Sequence, residues 1–182
     1  DVARRCVRWL SQRVDRPRAV VEPSVGGGAW LRAVLAVWPG VAVDAYDLDS
    51  EAHGLRDPRI RRGLVGSWLD GLEGQWDLVI GNPPYVEVDA HIAHSLRRGR
   101  STALLLRETI TGGEGRYRDL WRIRPPAWLG KLPGRVTWGG ASSHDSPDTV
   151  GHVLVVWNGD VTVTRWGWIS AEDDSERQMV IA

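Results

Sequence analysis

Ala19-Val20-Val21-Glu22-Pro23-Ser24-Val25-Gly26-Gly27-Gly28-Ala29-Trp30-Leu31 decides the fold. A short apolar strand closes on an acid, a turn with three glycines follows, and a helix begins at once. That helix reads to residue 38, because Leu31, Val34, Leu35 and Trp38 recur at helical spacing and Pro39-Gly40 stops it. Further along, short apolar runs keep alternating with helical patterns, the signature of strand-helix units and a mainly parallel sheet. Residues 41–47 alternate as a second strand, 64–66 form a weak third, and 76–81 are a buried strand running into Asn82-Pro83-Pro84-Tyr85. A helix is expected to begin near Ser50-Glu51. Another over 88–98, a strand over 102–106 and a helix over 115–124, ending before Pro125-Pro126, come next. Strands are expected at 135–138, 151–157 and 160–166, the last two joined as a hairpin through Asn158-Gly159. The expected organisation is a basic helix within 1–18, one α/β domain over 19–168 and an acidic, frayed tail over 169–182.

The chain has 182 residues, 23 basic and 23 acidic side chains and no net charge, which excludes a uniformly basic nucleic-acid clamp. Its length suits one domain. No apolar run approaches the roughly 18 residues of a membrane span, and the arginine-bearing N-terminus is no signal peptide. The single cysteine, Cys6, excludes an internal disulfide and a cysteine-built metal site. A cytoplasmic setting is the default expectation. The composition holds 11 Trp and no Phe, and all but one of its basic residues are Arg. Codon bias explains that as readily as phosphate or base binding does.

Charge is unevenly spread. Residues 1–18 carry +4, 19–96 carry −6, 97–135 carry +7 and 136–182 carry −5. The +7 stretch follows the Pro-Pro turn, where phosphate contact and a solvated helix face are the two readings.

The glycine turn lets backbone amides approach a ligand closely. It is neither the G-x-G-x-x-G fingerprint nor a phosphate loop, since no Gly-Lys-Ser/Thr follows. Glu22 beside it would repel phosphates and suits a cofactor bearing an amino acid and a positive sulfonium; an ordinary tight turn remains the alternative. Asp47 and Asp49 stand about 20 residues past the glycines, where an acid can hold both ribose hydroxyls. Capping the next helix is the other reading; Asp47 is assigned to ribose and Asp49 stays open. In Asn82-Pro83-Pro84-Tyr85 two prolines fix the backbone and remove two donors. The carbonyls of Asn82 and Pro83, with the Asn82 side-chain oxygen, can then accept both hydrogens of a planar NH2 group, and Tyr85 offers a face for its ring.

These segments, residues 21–30, 46–49 and 77–85, resemble successive motifs of class I S-adenosylmethionine-dependent methyltransferases acting on amine nitrogens. They are most similar to adenine-N6 DNA methyltransferases. Later stretches, 103–108, Leu120-Trp121, Pro125-Pro126-Ala127 and 153–157, resemble the short phage and bacterial members. The resemblance covers roughly residues 19–158. It implies an α/β Rossmann-like class I methyltransferase fold, with a mainly parallel seven-stranded sheet and a C-terminal antiparallel hairpin. It implies S-adenosyl-L-methionine as cofactor, with Glu22, Pro23 and Gly26, Gly27 and Gly28 near its methionine end and Asp47, with Asp49, by the ribose. Ser67 and Trp68 fall where many relatives place an Asp and a Phe that bind and stack the adenine. Asn82 with the Pro83 carbonyl would bind the target amine and Tyr85 would stack on the target base, with Pro84 part of the same catalytic turn and Asn82 also beside the cofactor.

The expected reaction is methyl transfer to the N6 amine of adenine, in DNA rather than RNA. RNA adenine, a protein glutamine amide and a catalytically silent scaffold are the alternatives. Accepting both amine hydrogens favours a tetrahedral nitrogen and stabilises its growing charge; a duplex target would have to be flipped out. Nucleic acid is expected to bind through residues 86–146, with low specificity or a specificity partner or homodimer. Arg107 and Glu108 either touch the target or form a surface ion pair. Ser143-His144-Asp145 are too close in sequence for a triad, and His91 with His94 lack a third metal ligand.

Overall fold

The computed structural model describes residues 1–70, 74–134, 136 and 150–169. Its chain runs through α1 (Val2–Ser11), β1 (Ala19–Glu22), α2 (Ala29–Val37), β2 (Ala42–Asp47), β3 (Arg62–Val65), β4 (Trp76–Gly81), α3 (Val88–Arg98), β5 (Gly99–Arg107), β6 (Trp128–Lys131), β7 (His152–Asn158) and β8 (Arg165–Trp168). The strands form one sheet in the order β3-β2-β1-β4-β5-β7-β6-β8. The first five are parallel to their neighbours, β7 is antiparallel to both β5 and β6, and β8 joins β6 in parallel. This is the expected Rossmann-like α/β fold, mostly parallel with antiparallel pairing at its C-terminal end.

Alternation along the strands builds two cores. In β5, Ala103 and Leu105 face α1 and α2, where Cys6, Leu10, Trp30 and Leu31 are buried with them. Leu104 and Leu106 face the opposite way, against Ile92 and Leu96 of α3 and Val153 and Val155 of β7. A strand covered on both faces reads as an uninterrupted apolar run, which is why 102–106 was legible as a strand. The Cys6 thiol is fully buried, and burial pushes its pKa up to about 12, so it is held as an unreactive thiol.

Four sequence expectations change. Among the described residues the sheet has eight strands where the resemblance implied seven, and one of them, Trp128–Lys131, falls outside every expected strand; only four residues long and containing Gly130, it carries little strand signal. Its glycine is needed, since a Cβ there would lie 2.7 Å from Ile169 Cδ1 and 3.1 Å from the Trp9 ring. The hairpin between 151–157 and 160–166 does not form. Gly159 does turn, with φ 69°, but β5 and β6 already occupy both edges of β7, so the last strand pairs with β6 instead. The expected helix over 115–124 is one α turn, Glu114–Arg116, running into a π turn, Tyr117–Trp121. Instead of a helix at Ser50, a 3-10 turn forms at His53–Arg56. Of the strand expected at 135–138 all but Val136 lies outside the described residues, as do Ser143-His144-Asp145 and the tail from 170.

The N-terminal helix packs into this domain. Arg5 donates from Nη2 to the Ile169 carbonyl at 2.6 Å, and the Trp9 ring meets Trp128 edge-on at 6.0 Å. Ile169, expected at the start of the frayed tail, is 1% exposed, and its N–H donates to Lys131 O.

Candidate active site

Parallel strands bring their carboxyl ends to one edge of the sheet, where ligands of such folds bind. At that edge β1 and β4 are neighbours, so Gly81 packs against Glu22 and Pro23: a Cβ on Gly81 would lie 3.6 Å from Glu22 Cγ and from Pro23 Cδ. The glycine turn and the Asn-Pro-Pro-Tyr turn are thereby side by side.

The glycine turn is held from below and open above. Gly28 caps α2 with φ 77°, and a Cβ on it would come within 3.2 Å of Gly54 Cα. Gly26 has φ 46°, and built Cβ atoms on Gly26 and Gly27 would meet nothing within 4 Å, leaving a free outer face. Asp47 straps this turn to β2: its Oδ2 accepts from Gly26 N at 2.7 Å and its Oδ1 from Asp49 N at 3.0 Å. Each carboxylate oxygen can accept again, so this strap leaves Asp47 able to meet a ribose. Asp49 is exposed, with its Oδ1 accepting from Glu51 N. Arg32 reaches back from α2 to the Gly27 carbonyl at 2.6 Å.

Glu22 is 1% exposed, and neither carboxylate oxygen makes a hydrogen bond of good geometry among the described residues. Burial therefore raises its pKa well above the ordinary carboxylate range, with the Leu31 amide and the Arg32 charge opposing and the Asp47 charge adding. A buried, unsatisfied acid at an open glycine turn is what a cationic or N–H-bearing ligand would complete.

Across the edge, Asn82 and Tyr85 are half-buried, Pro83 is buried and Pro84 is exposed. The Tyr85 hydroxyl donates to Asn82 Oδ1 at 3.3 Å and lies 2.9 Å from His152 Nε2. Arg107 places its guanidinium 4.4 Å from the Tyr85 ring centre. Arg107 thus joins the site, whereas Glu108 turns away and pairs with Lys131 at 3.4 Å. His152 had no sequence signal: it opens β7, and only the antiparallel register that sets it opposite Arg107 delivers it to Tyr85.

Ser67 and Trp68 divide. Ser67 lies just past the end of β3, and its hydroxyl accepts from Leu69 N at 3.1 Å. Trp68, expected to stack on a cofactor ring, is 2% exposed and packs instead against Tyr46, Trp76 and His94, with its indole N–H donating to Ser95 Oγ. An apolar indole gains more from that aromatic core than from the rim, so Trp68 is not presented at the edge.

The +7 stretch is also divided. Arg98 and Arg100 flank the start of β5 and Arg107 ends it, roughly 25 Å apart at strand rise. Arg116 pairs with Asp89 and Arg118 with Asp119. A cavity of about 650 Å³ lies away from the glycine turn, on the α3 face of the sheet, between Glu108, Lys131, Val153, Trp166 and Trp168. No described helix is long and apolar enough to cross a membrane.

No protein-family model matches the chain. It is 30% identical over 146 residues to a release factor glutamine methyltransferase of Xylella fastidiosa, covering 68% of this chain and 50% of the relative. It is 27% identical over 114 residues to a type II methyltransferase of Thermus thermophilus, covering 61% and 26%. The chain thus spans half or less of the length of these curated relatives. Among solved structures it superposes on a putative RNA methyltransferase from Pyrococcus horikoshii (TM-score 0.66, 9% identity, 88% of this chain and 84% of the other). It also superposes on a type I restriction-modification methyltransferase subunit from Streptococcus thermophilus (TM-score 0.64, 13% identity, 100% and 49%). A third, a plantazolicin methyltransferase in complex with SAH, gives TM-score 0.56 at 9% identity over 87% and 84%. The fold is that of the class I methyltransferases, and the resemblance carried by the sequence motifs is borne out by relatives that are themselves methyltransferases.

Proposed function

We propose that this chain is an S-adenosyl-L-methionine-dependent N-methyltransferase that methylates a planar, conjugated NH2 group, specifically the N6 amine of adenine in DNA. The observation that carries this reading is that Gly81, which leads into the Asn82-Pro83-Pro84-Tyr85 turn, lies beside the buried Glu22 and Pro23 that lead into the glycine turn.

The cofactor, when bound, supplies an electrophilic methyl group on a positive sulfonium. Glu22 ionises beside that cationic ligand and offsets its charge. Gly26, Gly27 and Gly28 would lie against its methionine end, and Asp47 would hold the ribose while keeping the turn in place. Asn82 Oδ1 and the Pro83 carbonyl accept the two amine hydrogens, drawing the nitrogen lone pair out of conjugation and toward the methyl carbon. With the cofactor bound, the amine nitrogen would take its methyl group with the thioether leaving and lose one proton to solvent, and the Asn82 and Pro83 oxygens would stabilise the charge on the nitrogen until that proton leaves. Tyr85 supplies a stacking face that fixes the ring bearing the amine, and this placement is itself a large part of the rate. Nucleic acid is engaged through residues within 86–146, with the Arg107 guanidinium 4.4 Å from the Tyr85 ring. A cytoplasmic setting in a bacterial or phage-infected cell goes with that substrate, and sequence choice rests on a partner subunit or a second copy.

The test is incubation with methyl-labelled cofactor and DNA followed by nucleoside analysis. The expected product is N6-methyladenine, reduced at least 100-fold in Asn82→Ala, the scale of losing one such acceptor. A protein glutamine amide is the second reading, favoured by the 30% identity to a release factor glutamine methyltransferase. Label appearing in a glutamine peptide and in no nucleic acid would replace the first reading with the second.

A further inference from the structure

We propose that His152 is a positioning residue for methyl transfer: through its hydrogen bond to Tyr85 it fixes the phenol against Asn82 and holds the Tyr85 ring ready to receive the acceptor. The inference rests on the function proposed above.

His152 is 0% exposed at the head of a strand that continues Val153-Leu154-Val155-Val156. A buried imidazole in such a run is costly unless it is hydrogen-bonded. Its Nε2 lies 2.9 Å from the Tyr85 hydroxyl, which in turn lies 3.3 Å from Asn82 Oδ1. The imidazole and phenol rings are 6.2 Å apart, and Arg107, the antiparallel partner of His152, covers the Tyr85 ring at 4.4 Å. Two adjacent residues on neighbouring strands therefore grip Tyr85, one at its hydroxyl and one at its face. The chain His152 to Tyr85 to Asn82 carries the rigidity of the sheet into the turn. It also sets the Asn82 amide: with the Tyr85 O–H donating, the group held toward it is the oxygen. Rigid elements place reacting groups better than loops do, and a displacement of about 1 Å costs on the order of 100-fold in rate.

The test uses the whole chain, S-adenosyl-L-methionine and a mixture of unmethylated single- and double-stranded DNA oligonucleotides. His152→Phe keeps a ring and loses the hydrogen bond; it is expected to lower kcat 10- to 100-fold on the scale of such a displacement, with the cofactor Kd from calorimetry unchanged. Tyr85→Phe should lose a similar factor, the double variant no more than either single one, and His152→Gln, which keeps a hydrogen-bonding nitrogen, should recover most of the rate. The chain has three tyrosines, so carbon-13 tyrosine spectra report geometry independently of activity: His152→Phe should move the Tyr85 signal and leave Tyr46 and Tyr117 in place. A folded His152→Phe with wild-type kcat, or losses that multiply in the double variant, overturns the inference. If His152→Phe fails to fold, the inference requires Tyr85→Phe to be impaired and His152→Gln to be active, and the reverse defeats it. A wild-type chain that binds no cofactor and methylates nothing overturns the proposed function and this inference with it, whereas an active wild type matched by His152→Phe overturns this inference alone.

Discussion

Glu22 at the end of β1 and Asp44 in the middle of β2 are carboxylates of adjacent strands, 1% and 0% exposed. Asp44 is met by Arg61 at 2.8 Å, by Arg62 at 2.6 Å and by the Trp76 indole N–H at 2.8 Å, which ties β2 to β3 and β4. Glu22 meets no partner among the described residues. Burial alone would raise both pKa values, and at Glu22 it does. At Asp44 the hydrogen bonds from Arg61, Arg62 and Trp76 overcome burial and hold the carboxyl well below the usual range. Equal burial thus has opposite meanings. A satisfied acid is part of the scaffold, and an unsatisfied one at an open turn is a place for something else.

The largest expected effect falls on the scaffold member. Asp44→Ala strands two guanidinium groups and an indole N–H, and hydrogen bonds to charged groups are worth about 1.5–3 kcal/mol each. Because both arginines are about half exposed and can rehydrate, the expected loss is about 3 kcal/mol in urea unfolding, within the range for broken buried pairs. Stability within 1 kcal/mol of wild type would remove the distinction drawn here.

Glu22→Gln should do the reverse. It removes a buried acid without a partner, so near pH 4, where that acid is still protonated in the fold, unfolding stability stays within about 1 kcal/mol of wild type. Affinity for S-adenosyl-L-methionine measured by calorimetry falls tenfold or more, equivalent to about 1.4 kcal/mol. An unchanged affinity would return Glu22 to a structural role.

The smallest effect is in pH. Asp44, with a depressed folded pKa, contributes stability that is present above its unfolded value near 3.9 and is lost as pH falls through its folded value. Glu22, with a raised folded pKa, contributes stability that is complete below its unfolded value near 4.3 and is lost as pH rises through its folded value. Without cofactor, wild type should therefore weaken relative to Glu22→Gln as pH rises beyond the ordinary carboxylate range, and the two should converge near pH 4. Cofactor affinity should move the other way, tightening with pH in wild type and staying flat in Glu22→Gln. A flat profile in both chains would mean that Glu22 does not titrate on binding.

The same contrast explains what was legible. Glu22 and Asp47 end parallel strands, and the three glycines and Asn82-Pro83-Pro84-Tyr85 come within a few residues of one, so strand, turn and chemistry stand together in short stretches. Asp44 looked like one polar position of an alternating strand, because its partners lie 17, 18 and 32 residues away. Trp68 looked like a rim residue, and its burial follows from Tyr46, Trp76 and His94, which come from three other elements.

The sequence by itself determined the parallel half of the sheet and the shared edge of the two turns, since those depend on local periodicity and on residues a few positions apart. Tertiary structure alone decided that β7 sits between β5 and β6, that the last strand therefore pairs with β6, and that His152 reaches Tyr85. Antiparallel and mixed pairings join residues far apart in the chain, and their register is set by which strand edges remain free, a quantity no local stretch of sequence contains.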